Sequence, residues 1–277
     1  MKPKLAIVYN VSDPAGSGAA EKLLQLQKWN PSKCANAVTC YELPNRAVLA
    51  GYEVEQIYFD FLDNTPDPEV DAVIVLSKHS AVSNRPSLTT HHTGNPTSST
   101  LGGEPYTLSV SAPMLSRTLL SNYKITASQK GLLDTYELTL EATHHGPTRP
   151  RKPLVFIEIG STKENWVDER AHWAMAEAVA EVIEKGIVDC TPAVGFGDTH
   201  YPRKFTKIHL ESEYCLGHII PRYALKDTNE KVIIESVKKT WPREPEVALI
   251  QKKSAKAEVR NKIKSIMDDL GIEVKII

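Results

Sequence analysis

The sequence has only four cysteines in 277 residues, and none of them is in a CxxC arrangement. They are Cys34, Cys40, Cys190 and Cys215. Thiolate zinc sites and dithiol redox pairs typically contain two cysteines separated by two residues, so the spacing argues against both. We therefore expect four reduced thiols, as is usual for a protein of the cytosol.

An excess of charge and a long hydrophobic run are also lacking. The 33 basic and 34 acidic residues give a net charge of -1, so any polyanion must bind at a local basic patch. No apolar stretch approaches the roughly 20 residues that span a bilayer. The apolar run in MKPKLAIVYN is too short for a signal peptide. These features predict a cytoplasmic protein without a membrane segment.

The hydrophobic pattern is typical of an α/β protein. Strands are predicted at residues 5–10, 54–61, 70–77, 136–145 and 153–161, and helices and strands alternate again in the last third. The clearest helix begins with Ser161 and Glu164 in capping-box spacing and ends at Gly186. We expect one domain over residues 1–277, with a mixed, largely parallel sheet flanked by helices. A long polar loop is predicted at about 79–106.

Four polar clusters each follow a predicted strand. They are SKHS (77–80), EATHHGP (141–147), EIGS (158–161) and GDTHY (197–201). Ligands of open α/β sheets bind outside the carboxyl ends of the strands, where such loops converge. The sequence therefore predicts that the four clusters form one site.

Histidines are concentrated in these clusters and in the long polar loop. Six of the nine are found there, namely His79, His91, His92, His144, His145 and His200. A single histidine is usually a solvated or hydrogen-bonded structural residue, and we keep that interpretation for His172 and His209. His218 stays open between the two interpretations. The concentration of six predicts a functional site, although no spacing matches a zinc motif such as HExxH.

The doubled histidine in EATHH raises a geometric question. In a continuous strand, Glu141, Thr143 and His145 project to one face and His144 projects to the other. The two imidazoles can share a site only if the strand ends before them, which Gly146-Pro147 makes possible. The candidate catalytic residues are His79, Glu141, Thr143, His144, His145 and His200, and the candidate metal ligands are His79, Glu141, His144 and His200.

Further polar residues near these clusters are candidates for substrate binding. Arg149 and Arg203 follow the THHGP and THY segments, where they are either solvated or hold a sugar-phosphate backbone. Ser161 is predicted as a helix N-cap beside an anion-binding helix terminus, and Glu158 is either a structural strand carboxylate or a functional one. The full set of candidates is Ser77, His91, His92, Gly94, Asn95, Arg149, Glu158, Ser161, Tyr201 and Arg203.

Four segments together resemble a known family. They are LSKHSAVSNRPSLTTHHTGN (76–95), LEATHHGP (140–147), FIEIGSTKENW (156–166) and GFGDTHYPRKFT (195–206). The sequence is similar to the archaeal and plant type of D-aminoacyl-tRNA deacylase, which is related to the plant ethanol-tolerance protein. The resemblance implies a monomer that binds two zinc ions per subunit. It also implies an α/β fold similar to those of peptidyl-tRNA hydrolase and the phosphorylases.

The implied reaction is hydrolysis of the ester between a D-amino acid and the 3′ end of tRNA, including aldehyde-modified substrates. A wall against the L side chain predicts activity across many D-aminoacyl-tRNAs. Either zinc or the histidines alone would activate the water. The alternatives are a peptidyl-tRNA hydrolase-like enzyme, a metal-dependent amidohydrolase and a non-catalytic tRNA-binding protein.

Overall fold

The computed structural model describes residues 1–63, 66–82 and 84–277. The helices are α1 (Pro14–Leu26), α2 (Pro113–Gln129), α3 (Lys163–Trp166), α4 (Glu169–Lys185), α5 (Arg203–Glu211), α6 (Glu230–Lys238) and α7 (Ala257–Asp269). Short 3-10 helices lie at Gln56–Tyr58 and Lys252–Ser254. Among the described residues, we find no helix with the combination of length and hydropathy that a transmembrane segment requires.

The strands form two main sheets. They are β1 (Leu5–Asn10), β2 (Asn30–Pro31), β3 (Thr39–Leu43), β4 (Ala47–Tyr52), β5 (Ala72–Ser80), β6 (Ser87–His91), β7 (Gly94–Asn95), β8 (Thr107–Leu108), β9 (Glu137–Leu140), β10 (Leu154–Ser161), β11 (Thr191–Phe196), β12 (Tyr214–Ile220), β13 (Val247–Ile250) and β14 (Glu273–Ile276). The larger sheet has the order β2-β3-β4-β1-β5-β10-β6-β9, and the smaller one has the order β12-β11-β13-β14.

Strand direction confirms the predicted mixed, largely parallel sheet. In the larger sheet β4, β1, β5 and β10 run parallel to one another, whereas β3 is antiparallel to β4 and β6 is antiparallel to β10. All strands of the smaller sheet are parallel. The sheets meet where the Ala142 amide donates to the His200 carbonyl and the Thr143 amide donates to the Ile219 carbonyl.

The two faces of the larger sheet have different surroundings. On one face Ile74, Leu76 and Ile157 pack in a core that includes residues of α1, α2 and α4. Each fully buried side chain of this size stabilises the fold by about 1.5–3 kcal/mol. On the other face a smaller apolar cluster contains Val75 and Phe156. Beyond it the same face carries buried polar side chains, and the candidate site lies there.

Two predictions about the first third of the chain are wrong. Residues 54–61 do not form a strand; the β3–β4 hairpin precedes them and Gln56–Tyr58 is a 3-10 helix. The segment 79–106 is not a loop throughout, because it contains β6 and β7. Its sequence SLTTH is polar although every residue of β6 is buried, so it lacks the alternation that reveals a strand. Ser83, within the predicted loop, lies outside the described residues.

The predicted long helix consists of two helices. Ser161 is the last residue of β10 rather than an N-cap, and its hydroxyl donates to the Arg85 carbonyl at 2.7 Å. Thr162 is the N-cap of α3 instead, in a capping box with Asn165. As predicted, Gly186 ends α4, with a φ of 82° that favours glycine.

The expectation of reduced cysteines is wrong. Disulfides join Cys34 to Cys40 and Cys190 to Cys215, with Cα separations of 5.7 and 5.9 Å. Both separations lie in the usual range for a disulfide. Parallel pairing of β11 with β12 sets Cys215 opposite Pro192, and so brings it close to Cys190. Spacing along the sequence carries no sign of this contact, because it depends on strand pairing.

Candidate active site

The site lies on the polar face of the larger sheet, over β5, β10 and β6. Glu158 of β10 pairs with Ser77 of β5, and Gly160 pairs with His79. On the opposite edge of β10, Phe156 pairs with His91 of β6. Because paired residues project to the same face, these side chains share one surface. Convergence was expected at the carboxyl ends of parallel strands, but His91 arrives from an antiparallel strand.

The doubled histidine lies beyond the end of its strand. β9 ends at Leu140, and His145 has a φ of 41°, so the alternation of a strand does not apply to residues 141–145. The amide of Gly94 donates to the His145 carbonyl at 2.7 Å and supports this backbone. The rings of His144 and His145 therefore lie side by side, with centroids 4.3 Å apart. The condition under which both imidazoles share one site is met.

His91, His144 and His145 form the first of two groups with ligand atoms within 4.8 Å of one another. Each Nδ1 lies next to a backbone carbonyl: His144 at 2.8 Å from Ala142 O, His145 at 2.5 Å from Gly146 O, and His91 at 3.3 Å from His92 O. A carbonyl oxygen only accepts, so Nδ1 is the protonated nitrogen in each ring. A neutral ring then has its lone pair on Nε2, the form that binds a metal ion.

Burial favours the neutral form of two of these rings. Desolvation lowers the pKa of His144 well below its usual value, and the nearby imidazole of His145, which would repel it if both rings were charged, adds to this effect. Desolvation also lowers the pKa of His145 to about 4, with a further contribution from His91. Both imidazoles are therefore neutral at physiological pH and are available as ligands.

His79, Glu141 and His200 form the second group, again with ligand atoms within 4.8 Å of one another. His200 Nε2 is 2.9 Å from Glu141 Oε2, and His79 Nδ1 is 3.3 Å from Glu141 Oε1. Tyr201 Oη is 2.6 Å from His79 Nε2, so it can accept the Nε2–H hydrogen and leave Nδ1 facing the carboxylate. His144 Nε2, 3.6 Å from Glu141 Oε2, connects the two groups.

Glu158 lies between the two groups. Its Oε2 is 3.4 Å from His79 Nδ1 and 3.5 Å from His91 Nε2. Desolvation opposes the charge of His79, but the Glu158 and Glu141 carboxylates outweigh it and raise the pKa of His79 to about 9. Desolvation likewise opposes the charge of Glu158, yet contact with His79 and His91 holds the pKa of Glu158 below its usual range. The imidazoles thus balance the negative charge of the two buried carboxylates.

The polar atoms of these groups fit a metal ion. Both Glu141 oxygens and His91 Nε2 are buried, and among the described residues no hydrogen bond of good geometry satisfies them, since their polar neighbours are the close contacts with imidazoles and Glu158 given above. Leaving such buried atoms unpaired costs about 1–3 kcal/mol each, and more for a charged group. Imidazole nitrogens and carboxylate oxygens are the usual zinc ligands outside thiolate sites. Each of the two adjacent groups could therefore hold a metal ion.

Two cavities open beside the cluster. The first, of about 330 Å³, is lined by Ser77, Lys78 and Glu158 among others, and the second, of about 270 Å³, by Asn95 and Tyr223 among others. Leu101, His144, His145 and His200 line both cavities. These three histidines therefore border both cavities.

Several candidate residues contribute through the backbone or through other contacts. Thr143 Oγ1 accepts from the Ile219 amide at 3.0 Å and contacts His218, which ties the loop to β12. His92 turns away from the cluster, with Nδ1 3.1 Å from the Gly217 carbonyl. Asn95 donates to the carbonyls of Gly102 and Glu104. These residues shape the site rather than supply its convergent polar atoms.

The two candidate arginines form ion pairs at the surface. Arg149 pairs with Glu104 at 3.0 Å, and Arg203 pairs with Glu137 at 2.9 Å. Of the three remaining histidines, the two interpreted as structural make such contacts: His172 contacts the Trp166 carbonyl, and His209 accepts from the Leu216 amide. His218, left open, contacts Thr143 and the Ser109 carbonyl. All three lie outside the two groups.

Lys78, Phe156 and Tyr223 were not foreseen as site residues. Phe156 lies in an apolar run that predicts only a buried strand, yet its ring is 5.0 Å from that of His91 and 5.2 Å from that of His145. Lys78 is part of the SKHS cluster, where it could have been found beside Ser77 and His79. Tyr223 lies in GHIIPRY, which carries no chemical motif, so only the tertiary structure reveals it.

Comparison with known proteins agrees with the sequence resemblance. The family model for D-aminoacyl-tRNA deacylase matches residues 66–275. The D-aminoacyl-tRNA deacylase of Aeropyrum pernix is 44% identical over 279 residues, covering 99% of this chain and 100% of that protein. That of Staphylothermus marinus is 44% identical over 275 residues, covering 98% of each.

A solved structure has the same fold. The crystal structure of AF0625, a conserved protein described as of unknown function, superimposes with a TM-score of 0.90 and 28% identity, covering 99% of this chain and 95% of that one. The fold and the sequence matches extend over nearly the whole chain. This protein belongs to the D-aminoacyl-tRNA deacylase family.

Proposed function

We propose that the histidine and glutamate cluster hydrolyses the ester between a D-amino acid and the 3′-terminal ribose of tRNA, releasing free tRNA and the D-amino acid. The observation that carries the proposal is the pair of adjacent ligand groups, His91/His144/His145 and His79/Glu141/His200, between two cavities. Membership of the family supplies the substrate class. We further propose a monomeric, single-domain enzyme, because every group of the site comes from one chain, and a cytoplasmic one, because its substrate is tRNA, although its two disulfides are unusual for that compartment.

Two zinc ions, one in each group, would be held by these residues. When bound, zinc lowers the pKa of a coordinated water towards neutrality and polarises a carbonyl oxygen. The donor set supports this assignment, because it combines five imidazoles with one carboxylate and contains no thiolate.

The protein groups orient and complete this chemistry. Backbone carbonyls hold His91, His144 and His145 with Nε2 directed inward, and Tyr201 does the same for Nδ1 of His79. Glu158 contacts His79 and His91 and keeps rings of both groups in place. Such contacts beyond the ligands typically change metal affinity or activity 10–100-fold.

The ester itself needs little activation, since its leaving group is a ribose hydroxyl. The protein must place water against the carbonyl and admit only one hand of the amino acid. Separate compartments for the acyl group and the nucleotide supply that placement. A wall beside the first cavity would exclude L side chains without contacting D side chains, so hydrolysis should extend to many D-aminoacyl groups and to their aldehyde-modified forms.

The test compares D-tyrosyl-tRNA with L-tyrosyl-tRNA as substrates of the purified protein. We expect the D ester to be hydrolysed at least ~100-fold faster, since a built steric filter rejects the wrong isomer by this order or more. The Glu158→Gln variant should hydrolyse D-tyrosyl-tRNA about 10–100-fold more slowly while still unfolding in one cooperative transition. Equal rates on both isomers, or cleavage confined to N-blocked L-peptidyl-tRNA, would refute the proposal.

A further inference from the structure

A basic cleft lies next to the active site, between the loop that follows β11 and the segment that follows β13. Its volume is about 550 Å³, and its lining includes Lys204, Arg222, Lys252 and Lys253. None of these four cations forms an ion pair with another of the described residues, in contrast to Arg149 and Arg203. They are exposed. Four unpaired positive charges are therefore concentrated at one place in a chain whose net charge is only -1.

The carboxylate of Asp198, which lines the cleft, already accepts hydrogen bonds from backbone amides. Its Oδ1 accepts from the Thr199 amide at 2.9 Å, and its Oδ2 accepts from the Lys204 amide at 3.1 Å. These bonds hold the loop and turn the carboxylate towards its own backbone. Four cations against one side-chain carboxylate leave the lining with a net positive charge, which suits a polyanion.

Two chain segments carry the lining of the cleft directly on to the lining of the second active-site cavity. Asp198 and Thr199 line the cleft, whereas the next residue, His200, lines both cavities. Arg222 lines the cleft, whereas Tyr223 lines the second cavity. The Arg222 amide donates to the Asp198 carbonyl at 3.0 Å, which fixes the two segments against one another. A ligand that reaches from the histidines past Tyr223 thus arrives at the cations.

Tyr223 is suited to contact a nucleobase. Its side chain is 55% exposed although it borders the cavity, so a large aromatic surface is open to a ligand. Single-stranded nucleic acid is bound by aromatic rings that stack on bases together with cations that follow the phosphates. The first cavity has a different lining, with Ser77, Lys78 and Glu158, and offers no comparable exposed ring.

We propose that the 3′-terminal nucleotides of tRNA bind across the second cavity and the basic cleft. The terminal adenine lies against Tyr223, and the preceding phosphates lie among Lys204, Arg222, Lys252 and Lys253. The acyl group then occupies the first cavity. This inference rests on the proposed function, because the ester must lie at the histidines between the two compartments.

Binding of deacylated tRNA tests the cleft without any need for hydrolysis. The double variant Lys252→Gln/Lys253→Gln is compared with Lys28→Gln/Lys124→Gln, a matched pair of exposed lysines outside the cleft. Each lost phosphate contact reduces the slope of log K against log salt concentration by about 0.7–0.9. We expect the cleft variant to bind roughly 10-fold more weakly and with a slope smaller by about 1.4–1.8, and the control to match the wild type. Equal affinities and slopes in the two variants would overturn the cleft as a tRNA site.

Substitution of Tyr223 tests the stacking contact. Tyr223→Phe keeps the ring, whereas Tyr223→Ala removes it. Loss of a stacked base should raise KM for D-tyrosyl-tRNA about 10-fold with little change in kcat, and the Phe variant should stay within about 2-fold of wild type. A purely structural role would instead lower the melting temperature of both variants. An unchanged KM in the Ala variant would remove Tyr223 from the proposal.

The two proposals fail in different ways. If the wild-type protein leaves D-tyrosyl-tRNA intact, the proposed function is wrong, and the binding comparison still decides the role of the cleft. If the wild type hydrolyses the ester but the cleft variant binds tRNA as the control does, only the docking inference is wrong.

Discussion

His200 Nε2 lies 2.9 Å from Glu141 Oε2, although one residue follows a strand of the smaller sheet and the other follows a strand of the larger sheet. The same two loops are joined by the hydrogen bond from the Ala142 amide to the His200 carbonyl, at 2.8 Å. The second ligand group therefore requires contact between the sheets. Any change that separates them should disrupt this group before it disrupts the first.

The adjacent pair His91 and His92 provides a test of the first group within a single dipeptide. His91 lies in the group, whereas His92 points towards Gly217 and His218. We expect His91→Gln to lose about one zinc ion per chain and at least ~10-fold in kcat, because one ligand of the first group is lost. His92→Gln should keep both ions and most of the activity. Zinc content by mass spectrometry and kcat on D-tyrosyl-tRNA are measured on the same samples.

Because both histidines are buried, each variant is first checked for a cooperative unfolding transition. Loss of metal in His92→Gln but not in His91→Gln would contradict the assignment of His91, rather than His92, to the first group.

A substitution at Gly160 tests whether the position of His79 matters for hydrolysis. A Cβ at this position would lie 2.7 Å from His79 Cδ2 and 2.8 Å from Ser87 Oγ. Gly160→Ala should therefore displace His79, lower kcat at least ~10-fold and destabilise the fold by about 1–3 kcal/mol. Urea unfolding and deacylation assays measure the two effects.

Gly131→Ala is the matched control. Gly131 has a φ of 65° and no atom within 4 Å of an added Cβ, so the substitution costs about 1 kcal/mol of backbone strain without moving a neighbour. Its kcat should equal that of the wild type. Full activity in Gly160→Ala would show that the position of His79 is not important for hydrolysis.

The lowered pKa of His209 should account for part of the loss of stability in acid. Desolvation, assisted by the charge of Arg117, lowers the pKa of His209 to about 3, whereas an unfolded histidine has a pKa near 6.5. Between these values the unfolded chain binds a proton that the folded chain does not, so stability falls as pH falls. The slope approaches ~1.4 kcal/mol per pH unit for this one group.

The variant His209→Asn separates this effect from the hydrogen bond. Its Asn side chain can replace Nδ1 of His209 as the acceptor for the Leu216 amide, but it does not titrate in this range. Between pH 6.5 and 5, His209→Asn should therefore lose about 2 kcal/mol less stability than the wild type does. Urea unfolding at the two pH values gives this difference. Equal losses would show that His209 is protonated in the folded protein.

Much of the fold can be predicted from the sequence because it depends on local pattern. The apolar runs of β1, β5 and β10 and the stop at Gly186 were found because each follows a rule of periodicity or capping. β6 was missed because four of its five buried residues are Ser, Thr or His, so it lacks the apolar residues that mark a buried strand. The disulfides were missed for a related reason, since their partners meet only through tertiary contacts.

The candidate site could be predicted as a set of residues but not as an arrangement. His79, Glu141, His144 and His200 were expected to converge, and the structure brings their side chains together. The division into two groups, with His91 and His145 beside His144, depends on the antiparallel direction of β6 and on where β9 ends. No local pattern fixes either property. Tyr223 and the basic cleft likewise depend on how the smaller sheet packs against the larger one.

The most direct test of the central claim measures zinc and D-tyrosyl-tRNA hydrolysis in one preparation, before and after prolonged chelation and again after zinc is restored. We predict two zinc ions per chain at the start, loss of activity together with the metal, and recovery of both on addition of zinc. Full hydrolytic activity in a sample shown to be free of metal would contradict the account.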